Sequence, residues 1–164
     1  MSEITVRVAG WADWSLYRAH RLEALLDSPD AFGEIYSEAS ALVDGRWQER
    51  VTNEARPLHL AFQEDRLVGT MSGGTNDEYP GTYWLFGLFV SPRARGTNAA
   101  RLLMEALAQW CRDEGGESLN LFVTQSQQRA IAFYKKVGFV ETGEGRSMNR
   151  DESLRLQRME WKVV

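Results

Sequence analysis

The chain has 164 residues, 43% of them apolar and 26% charged, with 14 Gly and 4 Pro, a composition that excludes disordered, collagen-like and low-complexity polymers. Lys and Arg total 19 against 23 Asp and Glu, and the net charge of −4 argues against a general attraction to nucleic acid or anionic lipid. Cys111 is the single cysteine, so neither an intrachain disulfide nor a cysteine-based zinc cluster is expected. Charges at Glu3, Arg7 and Asp13 break the apolar core that a signal peptide needs. The apolar run from Tyr83 to Val90 is too short to cross a bilayer as a helix. One soluble, cytoplasmic domain over residues 1–164 is the expectation.

Residues 3–8 alternate as a first strand that ends before Gly10. Asp13 reads as the N-cap of a helix carrying Leu16, Ala19, Leu22 and Leu26 on one face, with Ser28-Pro29-Asp30 as its stop. Two short helices follow between Ala31 and Asn53, parted near Asp44-Gly45. The period then becomes two: Leu58, Leu60 and Phe62 alternate with His59, Ala61 and Gln63 as a half-buried strand. Glu64-Asp65 turns the chain into a returning strand at 66–73. Gly73-Gly74, Asn76-Asp77 and Pro80-Gly81 read as an exposed loop before a strand at 82–90, which Pro92 closes. A helix at 99–114 carries Leu102, Leu103, Ala106, Leu107 and Trp110 as its apolar stripe and ends at Gly115-Gly116. Leu119, Leu121 and Val123 make a strand face, and residues 126–136 a helix stopped by Gly138. A strand from Phe139, a loop or hairpin over 141–155 and a last strand at 156–163 complete the chain. This order predicts an α/β (α+β) domain, with helices flanking a mixed, mostly antiparallel sheet.

Two segments suggest chemistry. Residues 91–101 read Ser-Pro-Arg-Ala-Arg-Gly-Thr-Asn-Ala-Ala-Arg, three arginines and no acid between an apolar strand and a long helix. Helix-start N–H groups hold phosphate oxygens, and neighbouring guanidiniums strengthen the contact. Gly96 permits an unusual backbone, Asn98 tolerates a left-handed one, and Ala99 and Ala100 allow close approach. An ordinary basic loop would have the same composition. Tyr134, before Gly138-Phe139, is either a packed ring at the sheet edge or a phenol that gives a proton to a leaving group. His20 and His59 are too isolated to suggest a metal pair, and no metal is expected.

Taken together, these segments resemble the GNAT superfamily of N-acetyltransferases. Val90-Ser91-Pro92 is similar to the family's Val-x-Pro strand end, and Arg95 to Ala100 to its Arg/Gln-x-x-Gly-x-Gly/Ala loop, with Asn98 where the first motif glycine stands. Gln127 to Phe139 is similar to Asn-x-x-Ala-x-x-x-Tyr-x-x-x-Gly-Phe, with Gln127 in place of Asn. The resemblance implies an acyl-CoA N-acyltransferase fold, with a V-shaped opening between the strand at Leu88 to Val90 and a parallel strand at Leu121 to Val123. It implies acetyl-coenzyme A as the acetyl donor, its pyrophosphate on Arg95, Gly96, Thr97, Asn98, Ala99 and Ala100, with Arg101, Gln127 and Arg129 as further cofactor contacts. Pantetheine would bond the backbone of Leu88, Phe89 and Val90. An N–H near Phe89 would polarise the acetyl carbonyl, and Tyr134 would protonate the departing thiolate.

The acceptor region is expected from the first helical arm and the 74–82 loop. Phe32, Tyr36, Trp47, Trp84 and Phe86 are candidates for an aromatic-walled pocket, with Phe32, Tyr36, Trp84 and Glu78 as the acceptor contacts. Relatives carry a glutamate base near Trp84; its absence here favours proton removal through water, with Asp77, Glu78 and Glu34 as alternative bases. The expected acceptor is a small-molecule primary amine, its ammonium steered by the acidic surface. An acyl-CoA-binding regulatory protein with a degenerate site, or a peptide or protein N-acetyltransferase, are the alternatives. No nucleic acid or membrane partner is expected, and a homodimer through sheet or C-terminal strand contacts is compatible with the sequence.

Overall fold

In the computed structural model, which describes residues 2–164, seven strands form one sheet in the order β1-β2-β3-β4-β5-β7-β6. β1 (Ile4–Val8) leads into α1 (Trp14–Asp27), α2 (Tyr36–Ala39) and α3 (Asp44–Thr52). β2 (Leu58–Gln63), β3 (Arg66–Thr75) and β4 (Tyr83–Val90) form an antiparallel meander. α4 (Ala99–Asp113) crosses to β5 (Ser118–Thr124), and α5 (Gln128–Val137) to the hairpin of β6 (Val140–Met148) and β7 (Asp151–Lys162). Only β4 and β5 pair in parallel. The expected mixed, mostly antiparallel sheet is therefore the one observed, and the 141–155 segment resolves as a hairpin.

Both faces of the sheet are covered. Leu103 and Leu107 of α4, Leu119 and Leu121 of β5, and Phe139 share one core. Tyr17, Leu25, Trp47, Leu60 and Phe89 share the other, under α1 and α3. This two-sided cover corrects the reading of β2 as half-buried: His59 and Ala61 are as enclosed as Leu58 and Leu60. Gly73 and Gly74 belong to β3, not to a loop. A Cβ at Gly73 would come within 2.8 Å of the Trp110 ring, so the bare glycine lets α4 settle close on the sheet.

The helix faces also differ from the expected stripes. α1 buries Tyr17, His20, Ala24 and Leu25 and leaves Leu16 and Leu26 exposed, because the Tyr17 ring packs edge-on against Trp47 at 5.8 Å. On α4 the buried face is Ala99, Leu103, Met104, Leu107, Ala108 and Cys111; Leu102, Ala106 and Trp110 flank it. Asp13 precedes α1 but does not cap it. Its carboxylate accepts the Gly10 N–H at 2.8 Å and pairs with Arg7, whose hydrogen bonds hold the Asp13 pKa below the usual carboxylate range.

Two irregularities in β4 position the site. Its register with β5 lasts for Tyr83–Leu119 and Trp84–Asn120 only, after which the strands diverge. Its register with β3 passes from Ser72–Phe86 to Thr70–Phe89, so Gly87 and Leu88 together oppose Met71 in a bulge. Gly87 takes φ +64, the left-handed region that such a bulge demands.

Candidate active site

The diverging strands open into one cavity of about 1760 Å³ that runs from the start of α4 to an aromatic floor at Trp84, Phe86 and Phe122. At the α4 end the donors are backbone. Gly96 turns the chain with φ +84 after a 3-10 turn at Pro92–Ala94, and α4 begins at Ala99. Thr97 occupies its own neighbours: its hydroxyl donates to the Ala94 carbonyl and accepts the Ala99 N–H at 3.3 Å. The first helical backbone bond runs from Leu102 N–H to the Asn98 carbonyl at 2.9 Å. Among the described residues, that leaves the N–H groups of Gly96, Asn98, Ala100 and Arg101 without partners. Such a crown of free amides at a helix start fits phosphate oxygens.

Three expectations change at this end. Asn98 sits at φ −87, an ordinary conformation, so the residue that replaces a glycine strains nothing and has no need of a left-handed backbone. Ala99 is fully buried in the α4 core and turns away from the cavity, whereas Ala100 lines it. Arg95 lines the cavity but its guanidinium pairs with Asp27 at 2.8 Å, and Arg101 pairs with Glu105 at 2.7 Å. Gln127 and Arg129, at the start of α5, also line the cavity.

Phe89 is corrected as the amide donor. The Ser91 N–H bonds the Val68 carbonyl at 2.8 Å, and the same register puts Thr70 opposite Phe89 as a bonded pair. The Phe89 amide therefore points into the sheet. Alternation turns the backbone groups of Leu88 and Val90 the other way, toward the side from which β5 has departed. On the α1 face, the buried His20 Nε2–H donates to the Phe89 carbonyl at 3.4 Å. Burial lowers the His20 pKa to about 4, against the opposing effect of that bond, so the ring is neutral at neutral pH.

Tyr134 lies on the opposite wall, 6% exposed. The expected packed ring is observed, and the clamped residue also lines the cavity. The Gly138 and Phe139 N–H groups both bond the Tyr134 carbonyl, at 3.1 and 3.0 Å, and the Phe139 ring meets the Tyr134 ring at 5.5 Å. Gly138 has φ +131, and a Cβ there would lie 2.9 Å from the Trp161 ring. The Gly-Phe pair is thus the fitting that holds the tyrosine. Burial raises the phenol pKa, so Tyr134 keeps its proton through the neutral range.

At the other end the cavity is made of side chains. Trp84 stacks on Phe122 at 5.3 Å and donates its indole N–H to the Thr82 hydroxyl at 2.6 Å. Phe32 lines the wall beneath Arg21, whose guanidinium carbon lies 4.7 Å from its ring centre. Arg56, Arg146 and Arg150 also line this end, and no local pattern in the sequence pointed to any of the four. The lining acids are Asp27, Glu34 and Glu105, and each is in an ion pair. For Glu34, burial works to raise the pKa, but Arg50 and Arg21 outweigh it and hold the carboxylate ionised.

Of the acceptor residues expected from sequence, Phe32, Trp84 and Phe86 line the cavity and three do not. Tyr36 starts α2 at the surface, 40% exposed, and Trp47 is sealed in the core. Glu78 stands outside, where it pairs with Arg146 at 2.9 Å. Among the described residues no helix is long and apolar enough to cross a membrane, and no group of three or more His, Cys, Asp and Glu side chains could hold a metal.

Known proteins share this fold. The family model described as the acetyltransferase (GNAT) family matches residues 19–139. The chain is 28% identical over 138 residues to aminoglycoside N(6')-acetyltransferase type 1 of Stenotrophomonas maltophilia, covering 84% of this chain and 87% of that protein. It is 38% identical over 60 residues to N-acetyltransferase 8 of Rattus norvegicus, covering 37% of this chain. The chain spans only 27% of that rat protein's length and 36% of a related mouse protein's. Among solved structures, a GNAT-family acetyltransferase of Streptococcus pneumoniae superposes with TM-score 0.78 at 19% identity, over 98% of this chain and 99% of that one. The Salmonella typhimurium protein yncA, solved with its cofactor acetyl-CoA, superposes with TM-score 0.79 at 19% identity, over 99% of this chain and 95% of that one.

Proposed function

This chain belongs to the acetyltransferase (GNAT) family, and from that premise we propose that it moves an acetyl group from acetyl-coenzyme A to the primary amine of a small molecule by direct attack. The observation that carries the reading is one continuous opening, which joins the free amides at the α4 start, the outward backbone of Leu88 and Val90, and Tyr134. Bound acetyl-coenzyme A supplies a thioester, whose C–S bond breaks as the C–N bond of the new amide forms.

The residues divide the work by position. The amides of Gly96, Asn98, Ala100 and Arg101 receive the pyrophosphate oxygens, and the flat approach that Ala100 permits brings those oxygens within reach. Backbone groups of Leu88 and Val90, which no neighbouring strand satisfies past Trp84, bond the amide chain of pantetheine. The Leu88 N–H takes the place first assigned to Phe89: it faces the acetyl oxygen and stabilises the negative charge that gathers there. Tyr134 presents an O–H, not an oxyanion, to the departing sulfur. The acceptor must arrive as a neutral amine, and its proton leaves through water, because every carboxylate that lines the cavity is already ion-paired.

The regulatory alternative rests on Asn98, Gln127 and the missing strand glutamate, where Trp84 stands, as departures from the family pattern. Asn98 keeps an undistorted loop, and Gln127 stands at the start of α5 with its carbonyl bonded by Ile131 N–H at 3.0 Å, so neither weakens the framework. The test is acetyl-coenzyme A turnover across a broad set of amines, with mass detection of the product. An acetylated amine is the expected result. Binding of acetyl-coenzyme A without turnover of any amine would favour the regulatory alternative instead.

A further inference from the structure

The acceptor half of the opening is cationic in a protein whose net charge is −4. Arg21, Arg56, Arg146 and Arg150 line it, and the one carboxylate among them is Glu34. Glu34 is committed to two guanidiniums: Arg50 bonds both its oxygens, at 3.1 and 2.6 Å, and Arg21 Nε donates at 3.1 Å. Arg150 donates to the backbone carbonyls of Pro29 and Phe32, at 2.6 and 2.9 Å, and so straps the α1–α2 segment to the β6–β7 turn.

Arg56 and Arg146 differ from these. The Arg56 guanidinium lies over the Phe86 ring, 3.8 Å from its centre, and among the described residues it has neither a hydrogen-bond partner nor an acid beside it. Desolvation depresses its pKa, opposed by Tyr17 and aided by the like charge of Arg21, a strain that an anion would relieve. Arg146 lies 4.3 Å from the Phe122 ring centre, and although one terminal nitrogen pairs with Glu78, its buried Nε has no partner. Two guanidinium forks with unused donors thus rest on the aromatic floor, in reach of a ligand that lies on it. Their fork geometry matches an oxyanion with two acceptor atoms.

We propose that the acceptor is a small amine that also carries an oxyanion, a carboxylate or a phosphonate-type group, which Arg56 binds with help from Arg146 and Arg21 while the hydrocarbon part lies on Trp84, Phe86 and Phe122. The proposal rests on the amine-transfer reading above and narrows its substrate class. It reverses the steering expected from net charge, since the local field at this end attracts anions. A polyamine or an aminoglycoside, with several ammonium groups, meets arginines and no free carboxylate. The resemblance to an aminoglycoside acetyltransferase over most of both chains does not extend to a pocket suited to that cation.

The experiment uses matched acceptors: amino acids and aminophosphonates as free acids, the uncharged esters of each, one polyamine and one aminoglycoside. Each is assayed for acetyl-coenzyme A turnover with mass confirmation, and acetyl-coenzyme A binding is measured by calorimetry. The free acid should exceed its ester in kcat/KM by about 10- to 100-fold, the range for losing one or two charge-assisted hydrogen bonds. Relative use of carboxylates and phosphonates tells which oxyanion the site takes. Arg56→Gln should raise KM for the acid by about tenfold and shrink the acid–ester gap, with acetyl-coenzyme A affinity unchanged; Arg146→Gln should act in the same direction. Esters that match or beat the acids, or a polyamine or aminoglycoside as the best acceptor, would overturn this inference and leave amine transfer standing. If the protein binds acetyl-coenzyme A but acetylates none of the amines, both readings fall together.

Discussion

At the α4 end of the opening the donors are backbone amides from one short stretch, Gly96 to Arg101, whereas at the acceptor end they are guanidiniums from α1, the α3–β2 loop, β6 and the β6–β7 turn. Backbone donors survive changes of side chain: Asn98 stands where the family pattern has glycine, at an unstrained φ of −87. Side-chain donors do not. One substitution at Arg56 or Arg146 alters the charge that an acceptor meets, without touching the phosphate cradle. A fold built this way can keep its acetyl donor while its acceptor changes.

His20 tests whether the two ends share a support, since Phe89 lies on the strand that serves both. Its folded pKa of about 4 lies below the unfolded value of 6.5, so the unfolded chain binds the extra proton between those limits. Stability from this group is complete above about pH 6.5 and falls as pH drops toward 4, by roughly 3 kcal/mol. Urea midpoints measured across that window should decline in the parent, and much less in a His20→Gln variant. Parallel declines would show that other groups govern the acid limb.

Tyr134→Phe should lower acetyl transfer by about 10²-fold, because the donor O–H is lost while the ring keeps its contact with Phe139. Acetyl-coenzyme A affinity, read by calorimetry, should hold; a matching loss of affinity would make Tyr134 a packing residue instead. A smaller effect is expected at the backbone end. Ala100→Leu should weaken acetyl-coenzyme A binding by about tenfold, the cost of obstructing one charge-assisted contact, and leave the ranking of acceptors as it was. A changed ranking would show that the two ends are not separable.

The same contrast explains what was legible in the sequence. Val90-Ser91-Pro92, Gly96 and Gly138-Phe139 impose local backbone geometry, and local geometry leaves marks at short spacing. The order of strands and helices followed from periodicity for the same reason. Arg21, Arg56, Arg146 and Arg150 are spread over most of the chain and meet only through the sheet, so no short window contains them. The hidden faces show a related limit. Ala99 and Ala100 are identical in type, yet helical rotation buries the first and turns the second to the cavity. The Phe89 amide was misassigned by one residue because the bulge at Gly87 shifts the register, and the isolated Gly87 is the one mark of that bulge in the strand's composition.

The seam between β4 and β5 is a hinge pin near the closed end of a wedge. Two register pairs form it, and the buried Asn120 rivets it: its amide donates to the Tyr83 carbonyl at 3.2 Å, and its oxygen takes Arg158 Nη2 at 2.7 Å. Beyond that pin β4 runs on for about 20 Å to Val90 with β3 paired along its other side, so a shift of about 1 Å at Leu88 requires the β3 ladder to move as well. Misplacement of that size between reacting atoms is enough to cost about two orders of magnitude in rate. The Asn120 rivet on one side and the β3 ladder on the other together fix where Leu88 and Val90 stand.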